Sequence, residues 1–425
     1  NQLASSFAQE ITNGIKGHES SLDSLVTFLG PPSGKEAGDY IAIDLGGTNL
    51  RVLLVRLFSD ERSPQVVHSQ RRQLTLVEMT QTNDVLFSAI AEAIHAFFDD
   101  YKVDQTLPIG FTFSFPFFQT STNTSKVIRW SKEFNLIDGH DCDPVQLLTH
   151  ALHQRGLKNI QITAIINDTT GTLLTGALQD NHCHIGMILG TGTNICLQLP
   201  ANMVTKEKNG FSDNFIYINL ESGNFNKSLP LTGYDRMLDE ESVNPSEQLQ
   251  EKMVSGRYLG LLADYILKDC YDRKWFLTHL SDPRKLDKLQ LTAAELAEID
   301  QQPLSAANAK NVMTRFGIRD ISQDDIRLLQ MMCQQLSTRS ARISTALIAG
   351  AIQLMDPMLA QPHSVAIDGS LFEKYPGYNE VMQATLKTIF GEAADKITLK
   401  KVTDGSGIGA GIAAAVASRQ LSRQL

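Results

Sequence analysis

IAIDLGGTNLRVLLV at residues 41–55 and MILGTGTNICL at residues 187–197 follow one pattern: an apolar run, a polar turn with two glycines and a second apolar run. Each copy predicts a strand, a tight turn and another strand. Glycine lets the turn backbone approach a ligand, and turn N–H groups with Thr and Asn side chains can hold phosphate oxygens. Two such hairpins in one chain indicate a duplicated α/β unit that holds one phosphate chain from both sides.

Length, composition and charge indicate which classes of protein this chain can belong to. The chain has 425 residues, of which 42% are hydrophobic, and this length is typical of two domains of about 150–200 residues. The net charge is −9 without a basic run, so no nucleic-acid surface is expected. Five cysteines without a C-x-x-C pair indicate reduced thiols in a cytoplasmic protein. The apolar stretch 346–355 is too short to span a membrane, and a removed targeting segment ahead of Asn1 is left open.

Three predicted strands end in polar turns, at Asn167-Asp168, at residues 368–370 and at residues 404–407. In open α/β sheets the ligand lies beyond the carboxyl ends of the strands. The two glycine hairpins supply turns of the same kind. The three strand-end turns and the two hairpin turns together form the predicted site.

Helices are predicted from apolar periodicity and capping signals at residues 83–101, 143–156, 169–178 and from Ser322 to about Asp356. A further helix is predicted to begin at Ser246. The segment 281–310 is charged and low in aromatic residues. We therefore expect it to be a solvent-exposed insertion.

Each candidate residue has an ordinary structural explanation beside a functional one. Asp44 precedes the first turn and could cap it or hold Mg²⁺ through water beside phosphates; the second hairpin favours phosphate binding. Arg51 could be a phosphate-binding cation or a surface residue, with equal support. Asn167-Asp168 could cap a helix, or Asp168 could be the general base that takes a proton from an alcohol during phosphoryl transfer.

Isolated polar residues carry weaker signals. Lys132 follows Trp130 on a predicted loop and could neutralise charge on a transferring phosphoryl group, although most loop lysines are only solvated. Asn194, Glu221 and Glu251 could bind sugar hydroxyls, since carboxylates accept O–H donors and amides both donate and accept. No H-E-x-x-H or other metal-ligand spacing is present, so a transition-metal site is not expected.

Taken together, these motifs resemble the eukaryotic-type hexokinase and glucokinase family from residue 41 to residue 415. The resemblance rests on two phosphate motifs, a sugar-binding signature, a connecting segment, a large-domain helix and two adenosine-side turns. The phosphate motifs are residues 43–51 and 190–194, the sugar-binding signature is residues 110–116 with 130–132, and the connecting segment is residues 167–169. The large-domain helix is residues 244–256, and the adenosine-side turns are residues 368–370 and 404–407.

The resemblance implies a two-lobed α/β fold of the actin-like ATPase (ribonuclease H-like) type, with a mixed β-sheet flanked by helices in each lobe. We expect a small lobe of residues 39–166 plus 404–425 and a large lobe of residues 1–38 plus 167–403. Sugar and ATP are then expected in the cleft between the lobes.

The resemblance also implies roles for single residues. Asp168 and Lys132 are implied to be catalytic, with Asp168 as the base on the sugar 6-hydroxyl. The implied sugar-binding residues are Ser114, Ser131, Lys132, Asn167, Asp168, Asn194, Glu221 and Glu251. The implied residues on the ATP side are Asp44, Gly46, Gly47, Thr48, Asn49, Arg51, Gly190, Thr191, Gly192, Thr338, Gly369, Ser370 and Ser406. Asp44 is implied to lie nearest Mg²⁺, through water, and the assignment of Thr338 rests on residues 337–339 alone.

The function implied is ATP-dependent phosphorylation of the 6-hydroxyl of glucose or a related hexose, which gives hexose 6-phosphate and ADP as the first step of glycolysis. The alternatives are a sugar sensor with weak catalysis and an actin- or chaperone-like ATPase without a sugar. Two positions depart from the family pattern: Ser222 stands where Trp is usual, and Arg129 where Asn is usual. Sugar preference and oligomeric state, monomer or homodimer, stay open.

Overall fold

The computed structural model describes residues 1–60, 62–104, 106–130, 134–207, 211, 213–280 and 282–424. The strands are β1 (Leu25–Val26), β2 (Gly38–Leu45), β3 (Asn49–Leu57), β4 (Gln65–Gln73), β5 (Ile109–Phe113), β6 (Phe117–Ser121), β7 (Thr124–Val127), β8 (Ile162–Ile166), β9 (Cys183–Leu189), β10 (Thr193–Pro200), β11 (Phe215–Asn219), β12 (His363–Asp368) and β13 (Ile397–Lys401). The helices are α1 (Gln2–Lys16), α2 (Leu76–Thr80), α3 (Asn83–Tyr101), α4 (Pro144–Gln154), α5 (Asp168–Gln179), α6 (Gly233–Glu240), α7 (Leu249–Val254), α8 (Gly256–Asp272), α9 (Ala293–Ile299), α10 (Ala306–Arg315), α11 (Gln323–Met355), α12 (Ser370–Lys374), α13 (Tyr378–Phe390) and α14 (Gly405–Gln424).

Two mixed sheets repeat one strand order. The first sheet has the order β4-β3-β2-β5-β8, and the second has the order β11-β10-β9-β12-β13, with β1 at its edge beside β11. In the first sheet β2 pairs antiparallel with β3 and parallel with β5. In the second sheet β9 pairs antiparallel with β10 and parallel with β12. The repeated order confirms the predicted duplication of an α/β unit around two glycine hairpins.

The side chains of β2 alternate between two cores. Ile41 and Ile43 pack with helices α3 and α4, whereas Ala42 packs with α14. Because successive side chains of a strand point to opposite faces, Asp44 lies on the α14 side of the sheet. It is only 5% exposed there. The strand therefore buries a carboxylate at the end of an otherwise apolar face.

Helices α5 and α14 follow the equivalent strands β8 and β13 and pack against each other between the sheets. A Cβ built on Gly409 would lie 2.3 Å from Gly171 Cα, so the two helices approach at a pair of glycines. One buried core combines Ala42 of the first sheet and Ala366 of the second with Leu173 of α5 and Ala410 of α14. The two helices thus join the two sheets.

The segment 281–310 is not the exposed insertion that its composition predicted. Leu289, Leu296 and Ile299 are at most 6% exposed and belong to the large core cluster around the second sheet. A low aromatic content does not make a segment exposed, because leucine and isoleucine at helical spacing supply one apolar face. The charged residues of α9, Glu295 and Glu298, are half-buried.

The predicted helices 83–101 and 322–356 are confirmed as α3 and α11. Ser322 caps α11, with Asp325 N donating to Ser322 Oγ at 3.1 Å. The helix predicted from Ser246 begins instead at Leu249, because Gln248 has the left-handed φ of 51°. In the described part of the chain, no helix combines the length and apolarity that a membrane span needs. The division into lobes stays a prediction, although the α/β class with helix-flanked mixed sheets is confirmed.

Candidate active site

The first hairpin is a tight turn between β2 and β3. Gly46 N donates to Asn49 O at 3.3 Å, and Thr48 O accepts from Leu74 N at 2.8 Å. Gly47 has a φ of 83°, a conformation that favours glycine. The loop after β5 lies alongside, because Ser114 N donates to Leu45 O at 3.2 Å.

The second hairpin, between β9 and β10, is held by hydrogen bonds to helices α7 and α8. Gly190 N donates to Gly192 O at 3.0 Å, and Gly190 O accepts from Gly256 N, the first residue of α8, at 2.8 Å. Thr191 O accepts from Arg257 N at 3.2 Å. Glu251 of α7 accepts from the amide that follows Gly192, Thr193 N, at 3.0 Å. The turn therefore has a defined place against the starts of α7 and α8.

The turn after β12 packs directly on the second hairpin. A Cβ built on Gly190 would lie 3.5 Å from Gly369 Cα and 3.6 Å from Ser370 N. Gly369 has a φ of 127°, and a Cβ there would lie 2.3 Å from Leu189 O. Glycine is required at this position for both reasons, and Ser370 then begins α12 beside the hairpin.

Four carboxylates, those of Asp44, Asp168, Asp368 and Asp404, surround the N-terminus of α14. Burial raises the pKa of Asp44 and of Asp368, and the negative charge of Asp168 raises both further. Hydrogen bonds from α14 oppose these increases, from Ser406 Oγ to Asp44 Oδ2 at 3.0 Å and from Gly405 N to Asp368 Oδ2 at 3.0 Å. Asp168 thus lies within electrostatic reach of the turns from both sheets.

Arg51 holds two of these carboxylates. Its Nε and Nη2 donate to Asp44 Oδ2 at 3.1 and 2.5 Å, and Nη2 also reaches Asp404 Oδ1 at 2.5 Å. The side chain is 23% exposed, so it is not a free surface residue. Its predicted contact with phosphate stays a prediction.

Asp44 Oδ1 is buried and accepts no hydrogen bond from the described residues. An orphaned carboxylate oxygen beside the first glycine turn fits a hydrated Mg²⁺, which prefers oxygen ligands and keeps several waters. No group of three or more His, Cys, Asp or Glu residues in the described ranges could hold a metal ion. A Mg²⁺ ion at this place would therefore depend on phosphate and water oxygens as well as on Asp44.

Asn167 and Asp168 stand together at the N-terminus of α5. Asn167 caps α5, with Thr169 N donating to Asn167 Oδ1 at 3.0 Å. Asp168 Oδ1 also accepts from Thr169 N at 2.8 Å, while its Oδ2 accepts no hydrogen bond from the residues that the structure describes. The half-buried Asp168 carboxylate therefore has one oxygen available for a ligand hydroxyl.

A chain of polar side chains leads away from Asp168. Asn194 Nδ2 lies 3.5 Å from Asn167 Oδ1 and donates to Asn219 Oδ1 at 2.7 Å. Asn219 Nδ2 donates to Glu221 Oε1 at 2.8 Å. Burial raises the pKa of Glu221 to about 7, and the charge of Asp168 contributes to the increase. The chain brings Asn167, Asn194 and Glu221 together, and their contact with a sugar stays a prediction.

Three predicted residues are not placed in this cluster. Ser131 and Lys132 lie outside the described residues. Thr338 lines a cavity of about 270 Å³ with Leu3 and Arg339, among residues that belong to neither hairpin. Two residues further along α11, Ser340 Oγ lies 2.8 Å from Oη of Tyr378, the first residue of α13.

Two residues at the site were missed by sequence reasoning. Asp404 stands in a predicted polar turn, but its partner Arg51 is 353 positions away, so no local signal predicts their contact. Asn219 stands two residues before Glu221 at the end of β11. Its position at a strand end was the one available signal.

The comparisons with known proteins agree on one family. Two family models described as hexokinase match residues 1–178 and residues 184–416. Hexokinase-7 of Oryza sativa subsp. japonica is 34% identical over 424 residues, which is 96% of this chain and 89% of that protein. Hexokinase-1 of Homo sapiens is 32% identical over 415 residues, which is 94% of this chain and 45% of that protein. The chain thus spans less than half of the human relative.

A solved structure gives the same result. The hexokinase of Schistosoma mansoni, in complex with glucose, matches with a TM-score of 0.84 and 29% sequence identity. The match covers 98% of this chain and 94% of that chain. The similarity therefore extends over both sheets and the residues between them.

Proposed function

Because the chain belongs to the hexokinase family, we propose that it transfers the γ-phosphoryl group of Mg-ATP to the 6-hydroxyl of glucose or a related hexose. The products are hexose 6-phosphate and ADP. In the family this is the first step of glycolysis.

The position of Asp168 carries this proposal. Its charge acts on Asp44 and Asp368, which border the turns proposed to hold phosphates, and on Glu221 at the proposed sugar site. A group with this position can accept the proton of a sugar hydroxyl while the hydroxyl oxygen attacks phosphorus. We therefore assign Asp168 as the general base.

The hexose is held by Asn167, Asn194, Glu221 and Glu251 in this proposal, with Ser114 and Ser131 at its small-lobe side. Amides and carboxylates together match hydroxyls that donate and accept. Glu221 adopts the left-handed φ of 52°, which is uncommon outside glycine and is frequent at functional sites. Closure of the small lobe over the sugar would exclude water, which competes with the hexose as phosphoryl acceptor.

The triphosphate lies between the two hairpins in this proposal. The polar residues of the first turn, Thr48 and Asn49, approach it from one side, and Thr191 with Ser370 from the other. The N-terminus of α14 at Ser406 adds backbone N–H groups and the positive end of a 20-residue helix. Lys132 would neutralise charge on the transferring group.

Asp44, through water, would hold Mg²⁺, which supplies charge stabilisation to the phosphate oxygens when it is bound. Arg51 and Ser406 hold the other oxygen of Asp44, Oδ2, through hydrogen bonds.

We expect the two lobes to have the boundaries predicted from the sequence, with α14 in the small lobe. Its packing against β2, β5 and β8 supports that assignment.

A panel of acceptors tests the function. We expect ADP to form at fixed Mg²⁺ with glucose or a related hexose, in equal amount to an acid-stable hexose 6-phosphate, and to form far more slowly without sugar. Equal ATP hydrolysis with and without a hexose would indicate a sugar-independent ATPase. Hexose binding by calorimetry without any product would indicate the sugar sensor, which no observation on the described residues favours.

A further inference from the structure

Asn219 is a buried polar residue without an assigned role. It ends β11, is 5% exposed and makes side-chain hydrogen bonds with two different neighbours. Its Oδ1 accepts from Asn194 Nδ2 at 2.7 Å, and its Nδ2 donates to Glu221 Oε1 at 2.8 Å. Both neighbours are residues that the proposed function places on the hexose.

The first hydrogen bond fixes the orientation of the Asn194 amide. Asn194 Oδ1 accepts from Ser222 N at 3.0 Å, while Nδ2 faces Asn219 Oδ1. A flipped amide would place two donors together at Ser222 N and two acceptors together at Asn219. Asn194 therefore presents its donor and acceptor in one arrangement, and Asn219 is the partner that holds the donor side.

The second hydrogen bond acts on the charge of Glu221. Burial and the carboxylates of Asp23 and Asp168 favour the protonated form of Glu221, while Arg129 and the N–H of Asn219 favour the ionised form. Glu251 of α7 also lies close to the turn after Glu221, because a Cβ built on Gly223 would be 3.2 Å from Glu251 Cβ. Charged groups from three other segments therefore act on Glu221, two of them negative, and Glu251 adds a further carboxylate beside the next turn.

An ionised carboxylate accepts hydrogen bonds from hydroxyl groups at both oxygens, whereas a protonated one loses part of that capacity. Among the described residues, Asn219 Nδ2 is the one side-chain donor within hydrogen-bonding distance of Glu221. Removal of this donor would leave Glu221 less able to accept hexose hydroxyls.

We propose that Asn219 is a positioning residue for the hexose, which orients Asn194 and keeps Glu221 a hydrogen-bond acceptor without binding the sugar itself. The inference rests on the proposed function, because it assumes that Asn194 and Glu221 bind a hexose. It predicts an effect on sugar affinity, and little effect on phosphoryl transfer or nucleotide binding.

Asn219→Asp tests the inference because it keeps the acceptor for Asn194 and replaces the donor to Glu221 with a carboxylate oxygen. We expect the hexose Kd by calorimetry and the hexose KM to rise by about tenfold to a hundredfold, the range for a lost hydrogen bond to a charged group. We expect kcat to stay within about threefold, and the Mg-ADP Kd to be unchanged. Asn219→Ser, which is too short to reach Glu221, should act in the same direction if the Asp variant does not fold.

The pH dependence of hexose binding separates this role from a structural one. The ionised form of Glu221 is the form that binds, and its pKa is raised to about 7, so wild-type affinity should fall as the pH decreases through 7. In Asn219→Asp the loss should occur at higher pH, because the variant removes a group that stabilises the carboxylate.

Asn83→Asp is the matched control. Asn83 is the first residue of α3 and 6% exposed, and its Nδ2 donates to Asp138 O at 2.7 Å. This variant should lower the thermal stability and leave the hexose Kd unchanged. An unchanged hexose Kd and pH midpoint in folded Asn219→Asp and Asn219→Ser would overturn the inference. A wild-type protein that phosphorylates no hexose would instead overturn the proposed function.

Discussion

Asp44 illustrates how the environment of one side chain selects its chemistry. Its Oδ2 accepts hydrogen bonds from Arg51 on β3 and from Ser406 on α14, and its Oδ1 is buried without a described partner. A turn-capping aspartate would instead accept from backbone N–H groups of its own turn. The arrangement therefore favours the phosphate-side role of Asp44 over the capping role that the sequence also allowed.

At the same scale, Gly369 is a position in the turn after β12 that does not tolerate a side chain. We predict that Gly369→Ala destabilises the protein by at least about 3 kcal/mol, because the new Cβ would overlap a backbone carbonyl at a positive φ. Gly377→Ala is the control: its φ is 71°, but no atom lies within 4 Å of the added Cβ, so it should cost about 1 kcal/mol. Urea unfolding measures both, and equal effects would show that the contact with Leu189 O is unimportant.

The residues that the sequence identified are those whose signal is local. Both hairpins and Asn167-Asp168 are short motifs, and the residues that form each turn are neighbours in the chain. The hydrogen bond between Arg51 and Asp404 joins residues 353 positions apart. No periodicity or spacing in the sequence predicts such a contact. The assignment of Thr338 to the ATP side rests on a three-residue motif, and it stays a prediction.

At the scale of elements, the capped helix α11 was predictable and the segment 281–310 was not. A capping box and an apolar period are properties of the sequence alone. Burial of a charged segment depends on what packs against it, and here α8 and α11 cover α9. Net composition therefore misled where the apolar positions Leu296 and Ile299, three residues apart on α9, would have been informative.

Leu296 provides a quantitative check of that correction. We predict that Leu296→Ala lowers the free energy of unfolding by about 2–5 kcal/mol, as expected for a leucine that is 0% exposed. Leu304→Ala in the same segment should change it by only about 0.5 kcal/mol, because Leu304 is 44% exposed. If both variants unfold at the wild-type urea concentration, the segment is an exposed insertion after all.

At the scale of the whole molecule, duplication explains why one site forms between two sheets. Each sheet contributes a glycine hairpin and a polar turn at its strand ends, and α5 and α14 bring the two sets together at the Gly171–Gly409 contact. The duplication was visible in the sequence because the two hairpins are alike. The close approach of α5 and α14 was not, since a small-residue helix has many possible partners.

The central claim is that Asp168, at the junction of both sheets, takes the proton from the hexose hydroxyl. The most direct measurement compares Asp168→Asn with the wild type in hexose-dependent ADP formation and in hexose binding by calorimetry. The variant keeps an acceptor for Thr169 N but cannot accept the substrate proton. We predict that kcat falls by roughly a hundredfold or more while the hexose Kd stays within about threefold. Turnover near the wild-type rate would contradict the account and remove Asp168 from the reaction.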